Sequence, residues 1–164
     1  MNTLIIYTDG SHLDKQKKQG GRLGAGGVIV KPMFGQPGIP LGEFSQELDF
    51  NDMRIKYGAT NPSNPTAEMM AVLIALQTFK KQLKQVDKVI MKADYLGCKE
   101  WNLGNWRIKE PYIQKIKDEI DNEIEEQNLE GRIDFEWVKG HQKGYSPDVY
   151  WNNYVDLLAK GEKW

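Results

Sequence analysis

The sequence has one cysteine, Cys98, only two histidines, almost no net charge and no long apolar run. A lone cysteine rules out an internal disulfide and points to a reducing, intracellular setting. The opening "MNTLIIYTDGSH" places only four apolar residues in a row. That is too few for a signal peptide or a membrane span, so a cytoplasmic protein with no membrane partner is expected. Twenty-two basic residues nearly balance twenty-three acidic ones, for a formal charge of -1. This excludes a strongly basic nucleic-acid coat but leaves room for a local basic patch beside an acidic centre. Repeats, low-complexity tracts and interdomain linkers are also missing. With 164 residues, 40% of them hydrophobic, one compact domain over 1–164 is expected, acting as a monomer.

The local patterning divides the chain into alternating elements. "TLIIYTD" (3–9) and "AGGVIVKP" (25–32) are β-branched and predict strands. "MFGQPGIP" holds two glycines and two prolines and predicts a loop, followed by a strand in "LGEFSQELDF". "NDMRIKYGATNPSNP" has no clear period. "TAEMMAVLIALQTFKKQL" (66–83) predicts a deeply buried helix, with Asn64 as its cap and Pro65 at its first position. A strand at 87–94 and a short helix in "LGCKEWNLG" follow. An amphipathic helix at 111–127 carries Ile113, Ile116, Ile120 and Ile124, a strand lies at 132–138, and "SPDVYWNNYVDLLAKG" predicts the last helix. The order β-β-β-α-β-α-α-β-α implies an antiparallel meander continued by parallel βα units: a mixed sheet with helices on both faces.

Four acids interrupt apolar stretches of this pattern. Asp9 ends the first strand and Asp94 the fourth, and parallel strands would bring both to the carboxyl edge of the sheet, where open α/β sheets build their sites. Glu68 sits among Ala67, Met69 and Met70, and Asp156 among Val155, Leu157 and Leu158, one turn after Asn152. Burying unpaired charge is costly. Taken singly, each acid has an ordinary structural explanation as a turn former, a cap or a surface group. Taken together they fit hard divalent cations, which prefer oxygen ligands and can act in pairs on phosphoryl groups.

"YTDGS" (7–11), "NPTAEMMAVLIAL" (64–76), the aspartate at 94 and "WVKGHQKG…NNYVDLLAKG" (137–161) resemble type 1 ribonuclease H, in the same order and over nearly the whole chain. The resemblance implies a ribonuclease H fold with a five-stranded mixed sheet, three antiparallel strands leading. It also implies an endonuclease that hydrolyses the RNA strand of an RNA–DNA hybrid with two Mg²⁺ ions, Mn²⁺ able to substitute, leaving 5′-phosphate and 3′-hydroxyl ends. Asp9, Glu68, Asp94 and Asp156 then correspond to the metal-binding carboxylates. His141 corresponds to a loop histidine serving proton transfer or product release. Gly10, Ser11 and Asn64 correspond to groups meeting the hybrid's minor groove, where 2′-hydroxyls mark the RNA strand. His12 has no counterpart.

The chain departs from that pattern in several places. Pro65 replaces a polar residue, Ser63 stands where threonine is common, and Tyr95 and Leu96 follow Asp94 in place of small or polar groups. "LGNWRIKEPYIQK" passes into the next helix without the basic, Trp-rich protrusion of many relatives. Substitutes for its grip are sought in Lys15, Lys17, Lys18 and Arg22, or in Arg107 and Lys109. Trp137 is expected in the core, Trp151 under the last helix, and Trp101 and Trp106 near substrate. Exonucleases of the superfamily start Asp-x-Glu, whereas Ser11 occupies that position here. A non-catalytic hybrid-binding module would be expected to have lost an acid, and a nucleotide-binding fold would show a Gly-rich loop opening a helix.

Overall fold

The computed structural model describes residues 2–13, 22–60 and 63–162. Its elements are β1 (Thr3–His12), β2 (Arg22–Met33), β3 (Gln36–Asp49), α1 (Phe50–Tyr57), α2 (Asn64–Thr78), α3 (Lys80–Leu83), β4 (Lys88–Ala93), α4 (Leu96–Asn102), α5 (Pro111–Glu126), β5 (Ile133–Trp137) and α6 (Pro147–Ala159). The five strands form one sheet in the order β3-β2-β1-β4-β5. β1, β2 and β3 are antiparallel neighbours, while β1–β4 and β4–β5 are parallel. This is the mixed sheet the sequence predicts.

Alternation along the central strands builds two cores. Leu4 and Ile6 of β1, with Leu23, Ala25 and Ile29 of β2, face the larger core of α2, α4 and α5. Tyr7 of β1, with Val28 and Val30 of β2, faces the smaller core under α6, where Trp151, Val155 and Leu158 meet them. A strand buried on both faces has no use for polar alternation, which explains the unbroken run Leu4–Tyr7. Packed between the sheet and α5, α2 is buried continuously from Thr66 to Leu76.

Glycine lets the helices approach the sheet. A Cβ on Gly10 would lie 2.3 Å from the backbone nitrogen of Glu68. One on Gly26 would lie 2.6 Å from that of Ala159. Hydrogen bonds fix α6 from both ends. Tyr7 Oη donates to Asp148 at 2.6 Å, Lys92 Nζ pairs with the same carboxylate at 3.0 Å, and Ser45 Oγ donates to the Leu158 carbonyl at 2.6 Å.

The structure corrects several local expectations. The predicted loop 33–40 is mostly strand: β2 and β3 meet in a tight turn around Gly35 (φ 72°). β3 is an edge strand and its pairing skips a residue near Pro40, so the prolines cost few ladder hydrogen bonds. The unplaced segment contains α1. Asp49 caps it, accepting from Asn51 N–H at 2.6 Å, Gly58 closes it, and only Met53 and Tyr57 are buried. Two anchors one turn apart are too few to show a period. α2 begins one residue earlier than expected, with Ser63 as the cap and Asn64 and Pro65 inside the helix. The predicted helix 66–83 breaks at Phe79, which is buried against Phe44. β1 continues past Asp9 to His12 because β2 keeps pairing with it.

Two tryptophans are placed differently from each other. Trp151 is buried as expected, donating Nε1–H to the Pro37 carbonyl at 2.7 Å. Trp137 is not in the core but 46% exposed, at the end of a five-residue edge strand where helix cover runs out.

Candidate active site

The parallel ladder between β1 and β4 ends at the pair Thr8–Ala93, so Asp9 and Asp94 are the next residues on adjacent strands. Glu68 enters from the first turns of α2, which Gly10 draws against β1. Ligand oxygens of Asp9, Glu68 and Asp94 lie within 4.8 Å of one another. Asp9 is 3% exposed, Glu68 is 5% exposed, and Asp94 is half-buried. Asp156, from α6, bonds to Asp9 but stands outside this closest set, its Oδ2 paired with Lys160 Nζ at 2.9 Å. All four predicted acids therefore gather at one end of the sheet, three of them tightly.

Burial raises the proton affinity of Asp9, Glu68 and Asp94 first, and the charges of neighbouring acids raise it further. Asp9 is pushed far above the usual carboxylate range by burial, then by the charges of Glu68 and Asp94. Glu68 is raised by burial, opposed by hydrogen bonds from Asp9 and the Gly10 backbone N–H. Asp94 is raised by burial, opposed by hydrogen bonds from Asp9 and Asn152. Carboxylate oxygens in mutual contact need a proton or a cation between them. Without metal, burial and mutual charge favour a proton shared within the Asp9, Glu68 and Asp94 cluster.

A divalent cation fits this donor set. The donors are all carboxylate oxygens, and Glu68 Oε2 is buried with no hydrogen-bond partner among the described residues, which a bound cation would remedy.

The remaining predicted residues take different positions. Gly10 and Ser11 continue β1 beyond Asp9 and are half-buried. Asn64 is exposed at the first position of α2, one turn before Glu68. His141 is exposed in the loop before α6, at a left-handed φ of 54°, close enough for its charge to act on Asp94. His12 ends β1, opposite Leu23. Lys15, Lys17 and Lys18 lie outside the described residues, while Arg22 pairs with Glu47 at 3.2 Å. The sequence reading missed what holds Asp94: the Trp137 side chain and the Asn152 amide. The signal for Asn152 was its spacing of four before Asp156.

Tyr95 lies over Gly97, where any Cβ would meet its ring at 2.2 Å, and meets the Trp101 ring at a tilt of 59° with ring centres 5.5 Å apart. Trp101 meets Trp106 edge-on at 6.4 Å. Beyond them opens a groove of about 670 Å³, lined by Ser63, Thr66, Trp106, Arg107 and Lys109.

A profile of the RNase H family matches residues 1–163. The chain belongs to the RNase H family. It is a ribonuclease H by that membership, as the resemblance of its motifs implies. No curated protein sequence matches it. Among solved structures it is similar to an RNase H1 isolated from compost by a metagenomic approach, with a TM-score of 0.71 and 22% identity, covering 98% of this chain and 95% of that one. It is also similar to the RNase H1 of the halophilic archaeon Halobacterium salinarum NRC-1 (TM-score 0.67, 17% identity, 96% and 94% covered). The PFV RNase H domain is a third (TM-score 0.66, 22% identity, 96% and 92% covered). These likenesses establish the shared fold. Among the described residues, no helix is long and apolar enough to cross a membrane.

The raised proton affinities give a stability signature with a definite sign. A carboxyl whose folded-state pKa exceeds its unfolded value stabilises the fold below the unfolded pKa, and that contribution is lost as pH rises. Metal-free Asp9→Asn is expected to melt higher than metal-free wild type, and the gap is expected to widen from pH 5 to pH 8. Mg²⁺ is expected to raise the wild-type Tm more at pH 8 than at pH 5. Thermal unfolding across pH measures both, and a gap that stays constant or closes with pH contradicts the electrostatic assignment.

Proposed function

We propose that this ribonuclease H hydrolyses the RNA strand of RNA–DNA hybrids, with Asp9, Glu68, Asp94 and Asp156 holding two divalent cations, Mg²⁺ in the first place and Mn²⁺ as a substitute. The observation that carries this reading is the convergence of Asp9, Glu68 and Asp94 within 4.8 Å, with Asp156 against Asp9, at the carboxyl ends of parallel strands. Family membership supports it. So does a related structure, 22% identical with a TM-score of 0.71, that was solved in complex with an RNA/DNA hybrid.

Bound ions would supply positive charge at the attacking and leaving oxygens and make water a competent nucleophile at neutral pH. The carboxylates of Asp9 and Asp94, on adjacent strands, set where that charge sits. Cleavage in this arrangement leaves a 5′-phosphate and a 3′-hydroxyl. Gly10 and Ser11 follow Asp9 on β1 and Asn64 is exposed one turn before Glu68, and backbone and small polar groups of this kind suit 2′-hydroxyls in a shallow minor groove. His141, exposed and near Asp94, is suited to carry a proton or speed product departure. The chain acts as one domain and as a monomer, in a cytoplasm whose reducing conditions suit the buried thiol of Cys98.

The groove past Trp101 and Trp106 offers a hold on the uncut DNA strand without a protrusion. Its aromatic faces can take sugar or base, and Arg107 and Lys109 can take phosphate.

Wild type incubated with Mg²⁺ and an end-labelled hybrid, duplex DNA or duplex RNA is expected to cut only the hybrid's RNA strand, and EDTA is expected to stop it. Asp94→Asn should lower kcat on the order of 10³-fold or more while keeping a folded circular-dichroism spectrum. Near wild-type cleavage by that variant removes Asp94 from the site. Cleavage by no preparation, with hybrid still bound, identifies a binding module instead.

The groove reading has its own measurement. The Arg107→Ala/Lys109→Ala double variant is expected to raise KM for the hybrid. It should also make the dependence of log affinity on log salt shallower by roughly 1–2, with kcat unchanged. An unchanged slope places the DNA strand elsewhere.

A further inference from the structure

Asp94 stands just beyond the end of its strand. The ladder of β4 with β1 stops at Thr8–Ala93 and that with β5 at Ala93–Trp137, so strand pairing does not fix Asp94. Other groups do. Trp137 Nε1–H donates to the Asp94 backbone carbonyl at 3.0 Å, and Val138 N–H donates to the Ala93 carbonyl just before it, also at 3.0 Å. The Asn152 side-chain amide donates to the Asp94 carboxylate. Gly140 passes so close that a Cβ there would sit 3.0 Å from Asp94 Oδ2. These contacts all come from the stretch between Trp137 and Asn152.

Asn152 is the member of this group that packing alone does not explain. It is 4% exposed, beside buried Trp151 and one turn from buried Val155 on α6. At such a position an aliphatic side chain would fill the space without desolvating an amide. The amide is not orphaned, because its partner is the Asp94 carboxylate. Asp156 follows exactly one helical turn later on the same face, so one helix touches the third carboxylate and carries the fourth.

We propose that Asn152 is a positioning residue for Asp94, fixing the carboxylate's rotation so that its free lone pairs face the ion, and that α6 thereby sets the spacing of the Asp94 and Asp156 carboxylates. A hydrogen bond to a ligand's oxygen leaves fewer orientations to be lost when the ion binds, and losing such a partner typically lowers metal affinity by about 10–100-fold. This inference rests on the reading that Asp94 holds an ion. Trp137 does the same for the backbone that Asp94 hangs from, so its removal acts in the same direction.

The test titrates Mg²⁺ alone, without nucleic acid, into metal-free wild type, Asn152→Leu, Asn152→Ala and Trp137→Phe by calorimetry, and melts each metal-free protein. The half-saturating Mg²⁺ concentration is expected to rise roughly 10–100-fold in Asn152→Leu. The metal-free Tm of that variant should stay at or above the wild-type value. At saturating Mg²⁺ its KM for hybrid should be unchanged. Asn152→Ala carries the same comparison should the leucine variant fail to fold, and Trp137→Phe should weaken Mg²⁺ binding while keeping its ring in place. Wild-type Mg²⁺ affinity in both Asn152 variants, with or without a fall in Tm, overturns the positioning role and leaves the metal site standing. Wild type that takes up no Mg²⁺ overturns the metal reading itself, and this inference with it.

Discussion

Carboxylates buried within 4.8 Å of one another repel, and much of the fold keeps them there. Parallel pairing of β1 with β4 sets Asp9 beside Asp94. The glycine at position 10 lets α2 press Glu68 into the same space, and close approach of α6 at Gly26 brings Asp156 to the rim. The repulsion is tolerated because the elements carrying the acids are anchored elsewhere: α2 by an unbroken apolar surface, α6 by Tyr7, Lys92 and Ser45. The site stores electrostatic strain that a cation would relieve. Stability is given up locally for a prearranged set of carboxylate oxygens.

In the proposed reading, the surroundings of the acids let a chain without a basic protrusion offer a nucleic-acid surface. Tyr95, Trp101 and Trp106 form a contiguous series from beside Asp94 to the groove at the start of α2. Gly97 makes room for its first ring. The tyrosine following Asp94 is thus part of a packed aromatic unit. The unit is stiffened by Trp101, and it ends where Arg107 and Lys109 supply positive charge.

Much of this was legible in the sequence because it depends on local pattern. The run Leu4–Tyr7 and the apolar stretch of α2 show burial directly, and the positions of Asp9, Glu68, Asp94 and Asp156 within such runs pointed to one shared site. What could not be read depended on contacts distant in sequence. α1 is held by two buried side chains, Met53 and Tyr57, too few to set a period. The prolines of β3 looked like loop residues because an edge strand cannot be told from a central one without its neighbours. Trp137 alternates like a core residue but lies where the helix layer ends, and its indole instead holds the Asp94 backbone, 43 residues away. The Asn152–Asp156 spacing was visible, yet the partner of Asn152 lies on another element.

The central claim is that, in the metal-free protein, a proton on the buried carboxylates does the work that a divalent ion does in the enzyme. Calorimetric titration of Mg²⁺ at pH 7.5 in buffers of different ionisation enthalpy tests it directly. The account predicts that binding releases about one proton per protein into the buffer, and that Asp9→Asn lowers this release. Mg²⁺ binding with no net proton release would contradict it.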